Sequence, residues 1–269
     1  MRRQIESDMA TDISTRRTDA VGECSEDAVL GGRLVLRQPR RGHRFGHDAI
    51  LLAAAVAAGA GERAVEFGAG VGAAGLAVAR RVEGLDVTLV EIEPALAALA
   101  AENAERNGLA ARVRTVSLDV TAPAAACAAA GLAPASADHV LMNPPFNAAQ
   151  NPSPDPERRA AHVAPDRTLE QWLETAARVL RPGGAVTLIW RADGLADVLT
   201  ALSAHFGAVV VLPIHGKAGG PAIRVLARGV KDRSAPLTLL PGLVLADARG
   251  KPTDAAETVL RDCAALPLV

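Results

Sequence analysis

Short apolar runs alternate with longer mixed segments through most of this chain. The runs at 63–67, 85–91, 113–118 and 137–142 predict buried strands, and the segments at 73–82, 94–107 and 121–131 predict helices between them. Pro94 and Gly108 fit the first position and the C-cap of the second of these helices. Regular alternation of strand and helix is typical of a parallel sheet built from βαβ units.

The downstream half continues the pattern with predicted helices at 169–180 and 195–206 and strands at 186–190, 209–214 and 222–227. Only the six residues His215 to Gly220 separate the last two strands. Because this gap is too short for a crossover helix, those strands should be antiparallel. The prediction is therefore an α/β fold whose seven-stranded sheet is mostly parallel and ends in an antiparallel pair.

The chain divides into three predicted regions. Residues 1–28 mix acids, Arg, Ser and Thr without apolar periodicity, which is typical of a mobile leader. Residues 29–228 form the main domain, which opens with a strand at 29–38 and a helix that Asp48 caps. Residues 229–269 form a small appendage with a helix near 255–263. Within the domain, the proline-rich segment 147–166 reads as either a lid or a disordered loop.

Composition narrows the class of protein. With four Phe, two Trp and no Tyr in 269 residues, the core should consist of Ala, Val and Leu. No apolar run approaches the roughly 18 residues of a membrane span, and no signal-peptide core is present. Cys24, Cys127 and Cys263 are too far apart for a disulfide framework or a metal knuckle. A cytoplasmic protein is expected.

Charge is nearly balanced, at −1 overall, and gives no support for nucleic-acid binding. Its distribution is less even, because the segment from Arg33 to Arg44 holds several arginines and no acidic residue. Such a segment could contact phosphates, or it could be ordinary solvated surface.

Three predicted strand ends carry residues suited to a cofactor. The first is followed by the glycines Gly68, Gly70 and Gly72, and such a loop either lets a ligand approach the backbone or serves tight packing. The second ends at Glu91, a carboxylate that can accept hydrogen bonds from ribose hydroxyls. Asp119 follows the third and could accept from an adenine amino group or cap a helix.

The fourth strand runs directly into Asn143-Pro144-Pro145-Phe146. Two prolines stiffen this turn, and the residue before a proline is held out of the helical region. The Asn143 carboxamide and nearby carbonyls then form a rigid set of acceptors beside an aromatic ring. This set suits a planar group with an NH2, such as a nucleobase edge, although a proline-rich turn without chemistry gives the same pattern.

The order of these four strand ends resembles the class I S-adenosylmethionine-dependent methyltransferases, which have a Rossmann-like sheet. Residues 143–146 look like the motif of amino-methylating enzymes. Together with the segment 42–52, they resemble the bacterial tRNA adenine-N6 methyltransferases that modify the adenine beside the anticodon of valine tRNA. The resemblance covers about 31–260 and includes Gly250 to Thr253. His47 and His139 depart from the expected pattern.

The resemblance implies S-adenosylmethionine as cofactor and RNA, most simply tRNA, as partner. Its implied catalytic residues are Asn143, Pro144, Pro145 and Phe146. Its implied cofactor residues are Glu66, Gly68, Gly70, Gly72, Glu91, Ile92, Asp119 and Asn143. Arg40, Arg41, Arg44 and Lys217 are candidates for phosphate contacts. No metal site is expected, because Gly46 interrupts any helix that would align His43 with His47.

Three functions remain open at this point. The first is adenine-N6 methylation of tRNA. The second keeps the fold and donor but changes the acceptor to guanine-N2 in ribosomal RNA or to a release-factor glutamine. Glutamine enzymes carry a larger helical region before the sheet, whereas here only about 47 residues precede the first helix, and this segment is basic rather than amphipathic. The third is a non-catalytic RNA adaptor, which would be expected to lose the Asn-Pro-Pro cluster. The sequence predicts no oligomeric state.

Overall fold

A computed structural model describes residues 23–41, 44–145, 168–266 and 268. Its strands are β1 (Cys24–Val29), β2 (Leu34–Pro39), β3 (Arg63–Phe67), β4 (Asp86–Glu91), β5 (Val113–Ser117), β6 (Ala137–Met142), β7 (Leu180–Arg191), β8 (Phe206–His215), β9 (Ala222–Lys231), β10 (Thr238–Leu239) and β11 (Leu243–Val244). Its helices are α1 (His47–Ala55), α2 (Ala73–Arg81), α3 (Pro94–Arg106), α4 (Ala124–Ala129), α5 (Thr168–Val179), α6 (Leu195–Ser203) and α7 (Asp254–Asp262).

The main sheet has the strand order β10-β8-β9-β7-β6-β3-β4-β5, and β11 also pairs with β8. Strands β3 to β7 pair in parallel, whereas β9 is antiparallel to both β7 and β8. The seven predicted strands and the antiparallel pair are therefore confirmed. Sequence analysis missed β10 and β11, because each has only two residues and shows no apolar alternation.

Two apolar cores lie on opposite faces of the sheet. Helices α1, α2, α3 and α7 pack on one face, and α4, α5 and α6 pack on the other. Both cores consist mainly of Ala, Val and Leu side chains, as the composition predicted. Phe67 and Trp172 are buried aromatic exceptions, and they meet edge to face with ring centroids 6.3 Å apart. No helix in the described ranges is long and apolar enough to cross a membrane.

An antiparallel hairpin of β1 and β2 precedes the main sheet. The prediction that residues 1–28 form a leader is wrong for 24–28, which belong to β1. Residues 1–22 lie outside the described part of the chain. β1 escaped prediction because its residues (CSEDAV) are mostly polar, and its pairing depends on β2 rather than on a buried face of its own.

Helix α1 begins one residue before the predicted cap. Gly46 occupies the N-cap position without a side-chain bond, so the prediction that Asp48 caps this helix is wrong. Asp48 instead accepts a 2.8 Å hydrogen bond from Arg224 Nε on β9. This ion pair fixes the start of α1 beside the end of the sheet where β9 begins.

A buried amide on α3 holds the hairpin against the domain. Asn103 is fully buried, and its Oδ1 accepts from the Arg37 backbone N–H at 2.8 Å. Its Nδ2 donates to the carbonyls of Arg37 (2.9 Å) and Val71 (3.0 Å). One side chain thus joins β2, α3 and the loop that follows β3.

We expect Asn103→Ala to lower the free energy of unfolding by about 1–3 kcal/mol, because it leaves buried backbone groups without partners. Asn107→Ala is the matched control, since Asn107 makes similar bonds to Val35 from a more exposed position. Urea denaturation measures both variants. If both variants lost the same free energy of unfolding, the burial of Asn103 would add nothing to the stability that its hydrogen bonds provide.

Candidate active site at the carboxyl edge of the sheet

The register of three neighbouring strands brings the predicted site residues to one edge. Phe67, the last residue of β3, pairs with Val90 of β4 on one side and with Met142 of β6 on the other. Gly68, Glu91 and Asn143 follow these three partners directly. Because the strands are parallel, the glycine loop, the acidic residue and the Asn-Pro-Pro turn all leave the sheet at the same edge.

The three loop glycines have positive φ angles, +65° at Gly68, +55° at Gly70 and +85° at Gly72. A Cβ on Gly68 would lie 2.6 Å from Trp172 Cη2, and one on Gly72 would lie 2.9 Å from Leu89 Cδ1. A Cβ on Gly70 would meet nothing within 4 Å. Gly68 and Gly72 therefore allow tight packing, whereas Gly70 lies on the open side, where a ligand can approach its backbone.

Glu91 shapes the loop from the tip of β4. Its side chain is buried, and its Oε2 accepts the Gly70 N–H at 2.7 Å while Oε1 accepts the Glu93 N–H at 3.0 Å. Each carboxylate oxygen has a second lone pair, which suits the ribose contacts expected of this residue. Ile92 follows it with 56% of its surface exposed, so an apolar contact surface lies beside the carboxylate.

Glu66 faces the interior rather than the open side of the loop. Its Oε2 accepts the Gly75 N–H of α2 at 2.7 Å. Burial disfavours the charged form and raises the pKa of this carboxyl from its ordinary 4.5 to about 8. The contact that the structure shows is thus a brace between β3 and α2, and a cofactor role for Glu66 stays a prediction.

Asp119 lies exposed after β5, at the same edge. Its Oδ1 accepts the Thr121 backbone N–H at 2.8 Å and the Thr121 hydroxyl at 2.7 Å. These bonds close a local turn rather than a helix end, because Pro123 occupies the N-cap of α4. The alternative that Asp119 caps a helix is therefore wrong. The carboxylate keeps acceptor capacity for a ligand.

Asn143 presents an unusual polar atom. Its Oδ1 is buried and has no hydrogen-bond partner among the described residues. Buried acceptors are nearly always paired, so an orphan of this kind indicates a site for a donor group. Pro144 is buried and Pro145 is exposed. Phe146, the fourth predicted residue of this turn, lies outside the described residues, as does the predicted lid at 147–166.

The basic segment is less available than its sequence suggests. Arg44 donates to Ser25, to the Pro39 carbonyl and to Asp27, each at 2.9 Å. One hydroxyl, one carbonyl and one carboxylate from β1 and β2 thus take part of the donor capacity of its guanidinium, and a substrate contact by Arg44 stays a prediction. Arg40 and Arg41 are exposed, with Glu23 3.9 Å from Arg40 Nε.

Lys217 remains an exposed cation at the right edge. It follows β8, which runs in the same direction as β7 because both are antiparallel to β9. The turn that carries Lys217 therefore lies at the same end of the sheet as Asn143. Its use as a phosphate contact stays a prediction.

The two histidines that depart from the expected pattern lie in different surroundings. His139 Nε2 lies 2.8 Å from Glu62 Oε2, near the amino ends of β6 and β3. His139 is buried and Glu62 is partly exposed, and this contact explains a polar residue within a core strand. His47 lines an open groove of about 730 Å³ between β1, α1 and α7, and no residue of the glycine loop or the acceptor turn lines that groove. His43 lies outside the described residues.

Sequence reasoning missed the side chains that support the loops from behind. Asn103 binds the Val71 carbonyl, Trp172 packs on Gly68, and Thr175 donates to the Val120 carbonyl at 2.9 Å. The sequence signal that could have identified two of them is a polar residue on an otherwise apolar helix face, Asn103 on α3 and Thr175 on α5.

Comparison with known proteins gives results consistent with this geometry. The family model described as the methyltransferase small domain matches residues 44–217, more than half of the chain. A ribosomal RNA small subunit methyltransferase C from Hahella chejuensis is 32% identical over 154 residues. A release factor glutamine methyltransferase from Chlorobaculum tepidum is 28% identical over 161 residues. These alignments cover 56% and 57% of this chain but only 37% and 53% of the relatives.

Solved structures share the same architecture. A protein from Agrobacterium tumefaciens, described as a predicted O-methyltransferase, superposes with a TM-score of 0.70 at 31% identity and covers 81% of this chain and 98% of its own. An S-adenosylmethionine-dependent O-methyltransferase from Thermotoga maritima superposes with a TM-score of 0.51 at 16% identity, over 73% of this chain and 69% of its own. The second likeness concerns the fold alone.

The raised pKa of Glu66 predicts a dependence of stability on pH. Between about pH 4.5 and 8 the folded protein holds a proton that the unfolded chain has lost, so the free energy of unfolding falls as pH rises through this window. Glu66→Gln keeps an acceptor for Gly75 and removes the titration. We expect the free energy of unfolding of the variant, relative to that of wild type, to rise by at least about 1 kcal/mol between pH 5 and pH 8.

Chemical denaturation at the two pH values measures this difference. Glu62→Gln is a suitable control, because hydrogen bonds from Gly59 and His139 outweigh partial burial and lower the pKa of Glu62 instead. Identical pH dependence of Glu66→Gln and wild type would show that Glu66 is ionised in the folded protein.

Proposed function

Since the chain belongs to the methyltransferase small domain family, a family of S-adenosylmethionine-dependent enzymes, we propose that it methylates the exocyclic N6 amine of an adenine in tRNA. The observation that carries the choice of an amine is the buried Oδ1 of Asn143, which lies beside the glycine loop and has no hydrogen-bond partner within the described part of the chain. The choice of adenine and of tRNA rests on the resemblance of segments 42–52 and 143–146 to adenine-N6 enzymes.

The donor site fits the residues present. Gly70 leaves open space at the loop, Glu91 offers lone pairs for ribose hydroxyls, and the exposed Ile92 offers apolar surface for the adenine ring of the donor. Asp119 can accept from the amino group of that ring. These four positions follow β3, β4 and β5 in order and would hold S-adenosylmethionine along the carboxyl edge.

The acceptor turn can compensate for the low nucleophilicity of the amine that is to be methylated. An exocyclic adenine amine is a weak nucleophile, because its lone pair is delocalised into the ring. Hydrogen bonds from its two N–H groups to Asn143 Oδ1 and to the Pro144 carbonyl favour a pyramidal nitrogen and direct its lone pair towards the donor. Holding amine and methyl group in line accounts for much of the rate, since orientation removes an entropic barrier.

When bound, S-adenosylmethionine supplies an electrophilic methyl group whose bond to sulfur breaks as the bond to N6 forms, leaving a neutral thioether. The N6 proton becomes acidic only once that nitrogen carries positive charge, so it can pass to water after transfer. Asn143 and Pro144 therefore act by accepting hydrogen bonds, and the turn requires no strong base.

A target base must leave its stack to reach the edge of the sheet, and an anticodon loop lowers that cost because its bases are unpaired. Arg40, Arg41 and Lys217 are exposed cations available for phosphates around such a loop. The second candidate is guanine-N2 methylation of ribosomal RNA, which the 32% identity to the ribosomal RNA enzyme favours.

Incubation with labelled donor and unmodified total tRNA or ribosomal RNA, followed by nucleoside mass spectrometry, tests the proposal. We expect N6-methyladenosine in the tRNA fraction. Recovery of N2-methylguanosine in ribosomal RNA would establish the second candidate instead, and methylation of a release-factor glutamine would overturn both.

Asn143→Ala should reduce turnover by about 10²- to 10³-fold, the range typical for loss of one aligned polar contact in an active site. Donor affinity should stay nearly unchanged, because the lost contact is to the acceptor amine. Asn107→Ala on α3 is the matched control, and calorimetric donor binding gives the second measurement. Full activity of Asn143→Ala would remove this side chain from the mechanism.

A further inference from the structure

Helix α5 contacts two of the loops at the carboxyl edge through side chains on one of its faces. Trp172 and Thr175 are three residues apart, so they project from the same side of the helix. Trp172 reaches the glycine loop after β3, and Thr175 reaches the segment after β5. The two loops follow β3 and β5, and one strand, β4, separates these in the sheet.

The contact of Trp172 with the glycine loop is close. The nearest atoms to an ideal Cβ on Gly68 are Trp172 Cη2 at 2.6 Å, Cζ3 at 3.2 Å and Cζ2 at 3.7 Å. The six-membered ring of the indole therefore fills the space beside the Gly68 backbone. Phe67 meets the same indole edge to face, with an interplanar angle of 87°. Any inward movement of the loop at Gly68 would be blocked by this ring.

Thr175 supports the other loop through a hydrogen bond. Its hydroxyl is buried and donates to the Val120 carbonyl at 2.9 Å, and Val120 directly follows Asp119. The same hydroxyl oxygen accepts from Arg178 Nη2 at 3.3 Å. A buried carbonyl that lost this partner would have to move or remain unsatisfied, so Thr175 fixes the chain immediately after Asp119.

The helix itself is firmly seated. Leu173, Ala176 and Val179 are fully buried in the core on this face of the sheet. The Arg178 carbonyl also accepts the Ala135 N–H at 3.1 Å, which ties the end of α5 to the segment before β6. Trp172 and Thr175 therefore extend from a rigid support.

We propose that Trp172 and Thr175 are positioning residues for the methyl donor, acting through Gly68 and through the Asp119–Val120 segment. This inference rests on the proposed donor site, but it does not depend on which acceptor the enzyme uses. Pre-organised loops lower the cost of ordering on binding, so loss of either support weakens the donor complex. The acceptor turn at Asn143 follows a different strand, β6, so loss of either support should leave it in place.

The test uses Trp172→Phe, Trp172→Leu, Thr175→Val and the conservative Thr175→Ser in the full chain. Calorimetry with S-adenosylmethionine measures donor affinity without any RNA. We expect Trp172→Leu and Thr175→Val to raise the donor Kd and KM by about fivefold to tenfold, which is on the order of 1 kcal/mol, with kcat changed less than about twofold at saturating donor. Trp172→Phe and Thr175→Ser should recover most of the affinity.

Val179→Ala is the matched control for loss of stability. It removes buried atoms from the same helix, seven residues from Trp172 and so about 10 Å along the axis. Its donor KM should match wild type. If Val179→Ala raised the donor KM as much as Trp172→Leu, the effect would be general loosening of α5 and the inference would be wrong.

Fluorescence gives a direct readout of the Trp172 contact. The chain has two tryptophans and no tyrosine, so Trp190→Phe leaves Trp172 as its only strong fluorophore. We expect saturating donor to change the emission of this variant with the same Kd that calorimetry reports. Constant emission despite donor binding would contradict the proposal.

Outcomes of the binding experiment separate the two proposals. Wild-type affinity in both Trp172→Leu and Thr175→Val would overturn the positioning role and leave the proposed function intact. Absence of donor binding by the wild-type protein would overturn the donor site and this inference together. A different methylated nucleoside would change only the acceptor.

Discussion

Parallel pairing of β3 with β4 and β6 is the constraint on which the site depends. Phe67 has register partners on both sides, Val90 and Met142, so the loop after β3 begins one strand spacing from the loop after β4 and one from the turn after β6. Neighbouring strands lie about 4.8 Å apart, which sets the distance between the donor loop and the acceptor turn before any side chain is considered. A shift of one residue in either pairing would also exchange the side chains that the strand presents to the two cores.

Buried polar groups then fix the shape of the loop that the register has placed. Glu91 accepts from Gly70, Glu66 accepts from Gly75, and Asn103 donates to Val71, so three side chains hold successive parts of one glycine-rich turn. The high pKa of Glu66 indicates that its brace works as a neutral acid, which avoids placing two buried charges next to each other. These three bonds restrict the conformations of the loop, which lowers the entropy cost of binding a ligand there.

The fold could be predicted from sequence because its signals are local. Apolar runs set the strands, Pro94 and Gly108 marked the ends of α3, and the short gap after His215 required an antiparallel pair. Contacts that depend on a distant partner could not be predicted from sequence. The guanidinium of Arg44 turns to Asp27 of β1, and nothing in the local sequence reveals that contact.

The site was predictable to a similar extent. Four strand ends identified the edge and its main residues, since position after a strand is a local property. The direction of each side chain was not predictable, because Glu66 and Asp119 each bond to a backbone N–H that sequence does not place. Trp172 on α5 is buried. Its contact with Gly68 joins elements about a hundred positions apart in the chain.

The number of N–H or O–H hydrogens on the group to be methylated discriminates between amine and hydroxyl substrates. An exocyclic amine carries two N–H groups and can donate both to Asn143 Oδ1, which has no partner among the residues that the structure describes, and to the Pro144 carbonyl. A hydroxyl has one hydrogen and could donate to only one of these acceptors. A hydroxyl would also need a base to become nucleophilic, while the amine needs only to be oriented. Although the Agrobacterium neighbour is described as a predicted O-methyltransferase, the acceptor set in this chain therefore favours transfer to nitrogen.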